Sequence, residues 1–217
     1  MVVLLGLALL FPLLLANVVL AALAKLGLSP GISFLAAGGI FLGGVVNIPI
    51  RRIPRDELIE VAPLGLFGFD RMVPRLVRRR TYTLIAVNLG GCVVPCAIAA
   101  YELGRIAAEG AGPVLAVTVA IAINTGVCWW LARPVPGVGI AMPALIPAVV
   151  AAICGLTFVR ELAPPIAFVA GVLGPLLGAD LLHLSDVKRM STGVASIGGA
   201  GTFDGIVLSG LVATLLA

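Results

Sequence analysis

Apolar stretches of about 20 residues fill most of this sequence, and they limit its fold more than any other feature. A helix needs about 20 apolar residues to cross the hydrocarbon of a bilayer. With 61% hydrophobic and only 11% charged residues, the chain lacks the polar surface of a soluble domain. The seven stretches lie at about 2–24, 30–50, 82–101, 113–132, 139–159, 164–184 and 202–217. The sequence therefore predicts an all-α, polytopic transmembrane helix bundle of about seven spans, with residues 1–217 forming one integral membrane domain.

Two features of these stretches leave alternatives open. Ala22-Leu23-Ala24 resembles a signal-peptide cleavage site, but no basic residue precedes it and its apolar run is long, which favours a retained helix. The 27 glycines and 15 prolines predict helices that are interrupted and closely packed. LGGVVNIP at 42–49 and LGGCVVP at 89–95 each pair two glycines with a proline a few residues later, and the two predicted spans that contain them run in opposite directions. This similarity is either a chance match or an inverted repeat of the kind found in transporters.

The basic residues predict the orientation. Eight arginines lie in 51–80, namely Arg51, Arg52, Arg55, Arg71, Arg75, Arg78, Arg79 and Arg80. By the positive-inside rule, the N-terminus and loop 51–81 face the cytoplasm and the C-terminus lies outside, in the cell's inner (plasma) membrane. The net charge is +4, and we expect the basic residues to face the anionic lipid of the bilayer. The expected partner is therefore the lipid bilayer and not a nucleic acid. Within this loop, 61–73 predicts an interfacial or a re-entrant element, and the β-branched run at 81–87 could be a strand instead of the start of the third span.

Two aspartates interrupt the last two apolar stretches. A carboxylate in hydrocarbon costs several kcal/mol unless it is neutralised or paired, so Asp180 and Asp204 are the candidate catalytic residues. They lie at similar depth on antiparallel helices of a predicted site hairpin, 164–217. Two such carboxylates share a proton, which is what activation of a water molecule requires. Close approach is favoured by glycines on both sides, namely Gly174, Gly178, Gly198, Gly199, Gly201 and Gly205.

Other polar residues near this hairpin have competing interpretations. Asp204 follows a glycine-rich turn and could simply cap a helix. His183 shares a helical face with Asp180, so a divalent metal held by Asp180, His183 and Asp204 is conceivable, although a lone interfacial histidine is more often solvated. Gly198, Gly199, Gly201 and Gly205, with Asn88 and Asn124, are the predicted substrate-binding residues. We expect neither a metal nor an organic cofactor, and we interpret the four cysteines as packing residues.

Two resemblances bear on these residues. GPLLGADLLHL at 174–184 and SIGGAGTFDGIVLSGLVATLLA at 196–217 resemble the C-terminal signature of a prokaryotic family of integral membrane proteins of unknown function, and NIP at 47–49 and AVNLGGCVVP at 86–95 also fit it. A weaker resemblance is to the intramembrane aspartyl proteases of the presenilin and signal-peptide-peptidase group. That group has an aspartate in each of two adjacent helices, a GxGD motif before the second and a later PAL motif. Here Asp204 comes two residues later than GxGD requires, and Pro143-Ala144-Leu145 precedes both aspartates.

The sequence thus supports two active functions of different class. The first is an intramembrane aspartyl hydrolase, most plausibly a protease of transmembrane peptides, as the presenilin resemblance also implies. The second is a small transporter or channel that uses the same carboxylates for protons or small cations. A structural subunit without chemistry is the third interpretation.

Overall fold

Helices make up most of the described chain, and a small sheet lies at one end of them. The computed structural model describes residues 2–61, 75–135, 139–187 and 193–217, with side chains described at 10, 12–54, 82–135, 139–186 and 193–217. The helices are α1 Val2–Lys25, α2 Pro30–Gly43, α3 Val94–Ala108, α4 Ala111–Leu131, α5 Leu145–Phe158, α6 Ala163–Pro175, α7 Leu184–Val187 and α8 Gly205–Leu216. The strands are β1 Asn47–Val61, β2 Arg75–Asn88, β3 Arg133–Val135, β4 Gly139–Ala141 and β5 Val194–Ile197. Two π-helical turns, Leu89–Val93 and Leu176–Leu181, adjoin α3 and α6.

The helices differ in whether they are long enough to cross a membrane. In the described chain, three are both long and apolar enough: Leu89–Ala108, Ala111–Leu131 and Arg160–Asp186. Three other apolar helices are shorter, namely Pro30–Gly43, Leu145–Phe158 and Gly205–Leu216, and the part of α1 whose side chains are described, Pro12–Lys25, is also apolar. The mostly helical architecture is confirmed, and seven complete spans stay a prediction.

The predicted end of the second span, at residue 50, and the predicted start of the third span, at residue 82, are wrong, because both lie in strands. Helix α2 ends at Gly43, and the chain continues into β1 instead of running helically to residue 50. The β-branched run at 81–87 lies within β2, so the alternative of a strand is confirmed and Tyr82 does not begin a helix. Pro49 and Pro54 exclude a helix here, and they are tolerated because β1 is an edge strand. The all-α expectation missed this sheet.

A long antiparallel hairpin carries the sheet, and one short strand joins it from far along the chain. Strand β1 pairs with β2 from Asn47 opposite Asn88 to Val61 opposite Arg75. On the other side of β2, β5 pairs in parallel, with Leu84 opposite Val194 and Val87 opposite Ile197. Loop 51–81 is therefore largely the hairpin. The predicted interfacial element at 61–73 lies outside the described residues, except for Val61, which ends β1.

Helix α6 is the centre of the bundle. It packs against α3, α4, α5 and α8, and residues 165–172 are all buried. Phe168 and Ile166 are among the largest fully buried side chains. Burial on every side explains why this segment is apolar all round, without an amphipathic face. The residues that follow α6 are thereby held in a fixed position.

The bundle has two distinct ends. We call the end that carries β1, β2 and β5 the sheet end, and the end where Lys25, Arg105 and Arg160 lie the far end. At the far end, Lys25 Nζ donates to Leu215 O at 3.0 Å, and Arg105 Nη1 donates to Leu26 O. These three basic residues thus lie at the opposite end of the bundle from Arg51 and Arg52 of β1. Which end faces the cytoplasm stays a prediction.

Candidate active site

Both predicted catalytic aspartates lie at the sheet end, where two helices are interrupted. Asp180 is on the π-helical turn Leu176–Leu181, which continues α6. Asp204 is the N-cap residue of α8, directly after a short 3-10 turn, Gly201–Phe203. Both side chains are partly buried. π-helical turns occur mostly at functional positions, because they cost regular helical hydrogen bonding.

Two adjoining cavities meet at the aspartates. One has a volume of about 330 Å³, the other about 230 Å³, and both are lined by Ile140, Asp180, Ala200 and Asp204. The larger cavity also touches the whole of β5, and the smaller one touches Met142 and Gly205. Since a water molecule occupies about 30 Å³ in the liquid, either cavity has room for a nucleophilic water and part of a substrate.

Backbone amides hold the carboxylates. Asp204 Oδ1 accepts from the Ile206 N–H at 3.0 Å, and Oδ2 accepts from the Ala200 N–H at 3.3 Å. The Gly198 N–H interacts with the Asp180 carboxylate, and the two aspartates interact electrostatically. The capping interpretation of Asp204 is therefore confirmed. Capping does not remove Asp204 from the site, because the same side chain lines both cavities.

A seam of closely packed glycines fixes the turn between the aspartates. We define the glycine seam as Gly43, Gly44, Gly90, Gly91, Gly198 and Gly201. A Cβ atom on Gly198 would lie 2.6 Å from Gly91 C, and one on Gly201 would lie 2.9 Å from Gly44 Cα. Gly198 and Gly201 also have positive φ values of 71° and 60°, which only glycine adopts at low cost. The echoed glycine pairs at 43–44 and 90–91 thus meet in space.

Two of the glycines predicted to bring the aspartate helices together, Gly174 and Gly178, pack against a different helix. A Cβ on Gly174 would lie 2.5 Å from Asn124 Nδ2, and one on Gly178 would lie 2.7 Å from Cys128 Cβ. Both therefore serve packing against α4, and the prediction for this pair is wrong. Close contact between α6 and α8 instead occurs at Gly171, where a Cβ would lie 2.9 Å from Gly210 Cα.

Of the predicted substrate-binding residues, some line the aspartate cavities and the others lie behind them or farther away. Gly199 lines the larger cavity and Gly205 the smaller, whereas Gly198 and Gly201 lie in the seam behind them. Asn88 is fully buried, donates to Gly44 O at 2.8 Å and accepts from the Gly91 N–H at 2.7 Å.

Asn124 is also distant from the cavity lining. It is fully buried and donates to Ala170 O at 2.8 Å, while its Oδ1 has no partner among the described residues. Both asparagines thus connect backbone segments, Asn88 beside the seam and Asn124 between α4 and α6.

Neither His183 nor a cysteine is among the described residues that line the two aspartate cavities. The Nδ1 atom of His183 lies 3.0 Å from Gly178 O, and its ring lies 6.4 Å from the Trp129 ring. No group of three metal-binding side chains occurs among the described residues. All four cysteines are free, with the Sγ atoms of Cys92 and Cys96 4.0 Å apart.

Sequence reasoning missed the two strands that line the site. Val194, Ala195, Ser196 and Ile197 of β5 line the larger cavity, and Ile140 of β4 lines both cavities. The only signal in the sequence was the short run VASI before the glycine turn, which is too brief to identify as a strand without its partner β2.

Taken together, the fold and the site define a helical protein with membrane-length helices and a pair of cavity-lining aspartates. The chain belongs to the family described as "Protein of unknown function (DUF1614)", whose model matches residues 41–216. The glycine seam, β5 and both aspartates all fall within that match. No curated protein and no solved structure matches the chain.

Proposed function

We propose that this protein is an intramembrane aspartyl hydrolase that cleaves peptide bonds of membrane-embedded substrates with Asp180 and Asp204. The observation that carries the proposal is that both carboxylates line the same two cavities. The sites of aspartic proteases likewise consist of two carboxylates that share one proton, because two nearby like charges do not both ionise.

The chemistry needs one water molecule and no cofactor. The ionised aspartate takes a proton from the water as its oxygen attacks the peptide carbonyl carbon, and the protonated aspartate donates its proton to the carbonyl oxygen. In the second step the C–N bond breaks, the nitrogen takes up a proton from the site, and the amine leaves. The N–H groups of Ala200 and Ile206 keep Asp204 oriented through these steps.

Strand β5 provides the means to hold a peptide beside the aspartates. All four of its residues line the larger cavity, and it is the edge strand of the described sheet opposite β1. An extended peptide can pair with such an edge through main-chain hydrogen bonds. A transmembrane helix must unwind before cleavage, and pairing with β5 replaces the helical hydrogen bonds that it loses.

The position of PAL adds support from the presenilin resemblance. Pro143 and Ala144 lie between Met142, which lines the smaller cavity, and Leu145, where α5 begins. The three PAL residues are thus adjacent to the cavity in the chain, although they precede the aspartates in the sequence.

Cleavage of transmembrane peptides by the purified protein tests the proposal. We expect D180N and D204N each to lower the rate by about 10²–10⁴-fold, because each removes a group that transfers protons. The matched control is D186N in α7, whose carboxylate does not line either cavity, and its rate should equal that of the wild type. Full activity in either D180N or D204N excludes the dyad mechanism.

The alternative is transport of protons or small cations by the same carboxylates. The two π-helical turns favour it, since they leave backbone carbonyls available as ligands. Flux into proteoliposomes that depends on Asp180, without any peptide cleavage, would establish transport. The hydrolase is preferred because both aspartate cavities lie at the sheet end, next to an unpaired strand edge.

A further inference from the structure

A third cavity lies between the sheet and α7, and its chemistry differs from that of the aspartate site. Its volume is about 490 Å³, and its lining includes Arg51 and Arg52 of β1 and Ser185 of α7. No carboxylate is among the described residues of that lining. Arg51 lies opposite Ile85, on the sheet face that lines the cavity, whereas the Arg52 side chain lies on the other face against Tyr82, because side chains alternate along a strand. A guanidinium and a hydroxyl are donors that recognise a phosphate, because a guanidinium binds phosphate oxygens in a two-pronged geometry.

The rest of the lining is apolar. Ile53 and Ile85 contribute side chains on the sheet, and Leu184 contributes one from α7. Ile85 is 5% exposed, so this wall is part of the protein core. A cavity that combines basic groups with an apolar wall suits a molecule that is itself amphipathic. A free phosphate ion would leave the apolar wall unused.

Along the chain, Arg51 and Arg52 come directly after a group of exposed apolar side chains. Val45, Ile48 and Ile50 are 84%, 44% and 65% exposed, and Arg51 follows directly. In an extended chain, consecutive residues advance by about 3.3 Å, so the change from apolar to basic occurs within one or two residues. Exposed apolar side chains followed by arginines are typical of a segment that passes from hydrocarbon to the headgroup layer.

The ring of Tyr82 lies beside Arg52, at the same position along the strands where the apolar residues give way to arginines. The Arg52 guanidinium lies 5.2 Å from the centre of the Tyr82 ring, and Tyr82 is 55% exposed. Tyrosines are enriched where a membrane protein meets the headgroups, because the ring is apolar and its hydroxyl is polar. The stacking holds Arg52 against Tyr82, so its positive charge stays at the same level of β1 as Arg51.

We propose that this cavity binds the phosphate group of an anionic phospholipid, with Arg51 on the phosphate, Arg52 adding positive charge at the same level of β1, and the apolar wall against the start of an acyl chain. Leu184 lines both this cavity and the larger aspartate cavity. The bound lipid therefore lies beside the route from the bilayer to the aspartates. This inference depends on the membrane setting and is independent of whether the aspartates hydrolyse or transport.

Native mass spectrometry of the full chain in mild detergent tests the site, with phosphatidylglycerol and phosphatidylcholine as probes. The wild type should retain phosphatidylglycerol in preference to phosphatidylcholine. We expect the R51Q/R52Q variant to bind phosphatidylglycerol at least about tenfold more weakly, because the charge-assisted contact of Arg51 and the nearby positive charge of Arg52 are both lost. The matched control is R160Q, an exposed arginine at the far end, which should bind as the wild type does.

Further controls distinguish a loss of lipid binding from a loss of folding. Circular dichroism and gel filtration establish that each variant is folded, and the single variants R51Q and R52Q replace the double variant if it aggregates. Equal lipid retention by wild type and R51Q/R52Q, or an equal loss in R160Q, overturns the site. Inorganic phosphate that binds as tightly as the lipid overturns the lipid as its source and assigns the arginines to free phosphate.

Discussion

The two ends of the bundle hold their carboxylates in opposite ways. At the far end, Glu102 is fully buried and accepts from Arg105 Nη1 through both oxygens, at 3.2 and 3.0 Å. At the sheet end, Asp180 and Asp204 have no ion-pair partner among the described residues, and backbone N–H groups hold them beside two cavities.

This difference supports a structural role for Glu102 and the proposed chemical role for Asp180 and Asp204. A paired, fully enclosed carboxylate cannot meet a substrate, and its partner compensates for the loss of water. Glu102 fits that description, since Arg105 also reaches Leu26 O and so ties α3 to the end of α1. Asp180 and Asp204 are partly buried, lack a cationic partner among the described residues and lie next to cavities, a combination that favours the proposed site even though Asp204 also caps α8.

The largest stability effect should come from breaking the far-end pair. R105Q leaves Glu102 buried without a cation, so we expect the free energy of unfolding to fall by about 3 kcal/mol, the lower end of the range for such pairs because Arg105 is 46% exposed. Unfolding in increasing sodium dodecyl sulfate measures this. The double variant E102Q/R105Q should recover part of the loss, and R160Q should have no effect. An R105Q variant as stable as the wild type would remove the contrast between the two ends.

A smaller loss is expected from filling the glycine seam. G91A places a Cβ within 3 Å of Gly198, whose backbone cannot move without shifting the turn before Asp204. We expect a destabilisation of about 1–3 kcal/mol, together with a loss of peptide cleavage. G38A in α2 is the matched control, because a Cβ there has no atom within 4 Å. Equal stability and activity for G91A and G38A would show that the seam does not position the site.

The smallest effect distinguishes the two roles of Asp204. D204A removes the N-cap of α8 and should cost about 1 kcal/mol, whereas D204N keeps a capping oxygen and should be about as stable as the wild type. Both variants should lack cleavage activity. The same unfolding assay, run beside the peptide assay, measures the separation. A D204N variant that is as unstable as D204A would indicate that the charge itself holds the helix.

The sequence was most informative about residues that are costly in an apolar setting. A carboxylate in hydrocarbon stands out in composition alone, so Asp180 and Asp204 could be predicted as a pair. Hydropathy also located the helices, since a buried helix such as α6 is apolar on every side. Asn88 and Asn124 stand out in the same way, yet their hydrogen bonds go to the backbone and, for Asn88, also to Asn47 Oδ1 at 3.1 Å. Polarity in an apolar stretch therefore does not by itself distinguish a binding residue from a connecting one.

The parts that could not be predicted depend on contacts between distant segments. Strand β5 is four residues long and exists because β2, more than 100 residues earlier, supplies its partner. The starts of α3 and α5 were misjudged because hydropathy does not distinguish an apolar strand from an apolar helix. For the glycines, spacing alone could not reveal which helix each one meets, and Gly174 and Gly178 meet α4 instead of α8.

The parallel pairing of β2 with β5 has a consequence for biosynthesis. Residues 84–87 leave the ribosome more than 100 residues before their partners at 194–197, and Asp204 follows those partners. A nascent chain therefore holds both aspartates only after β5 and the glycine turn have been made. Under the proposed hydrolase function, a nascent chain that has not reached Asp204 cannot cleave neighbouring chains.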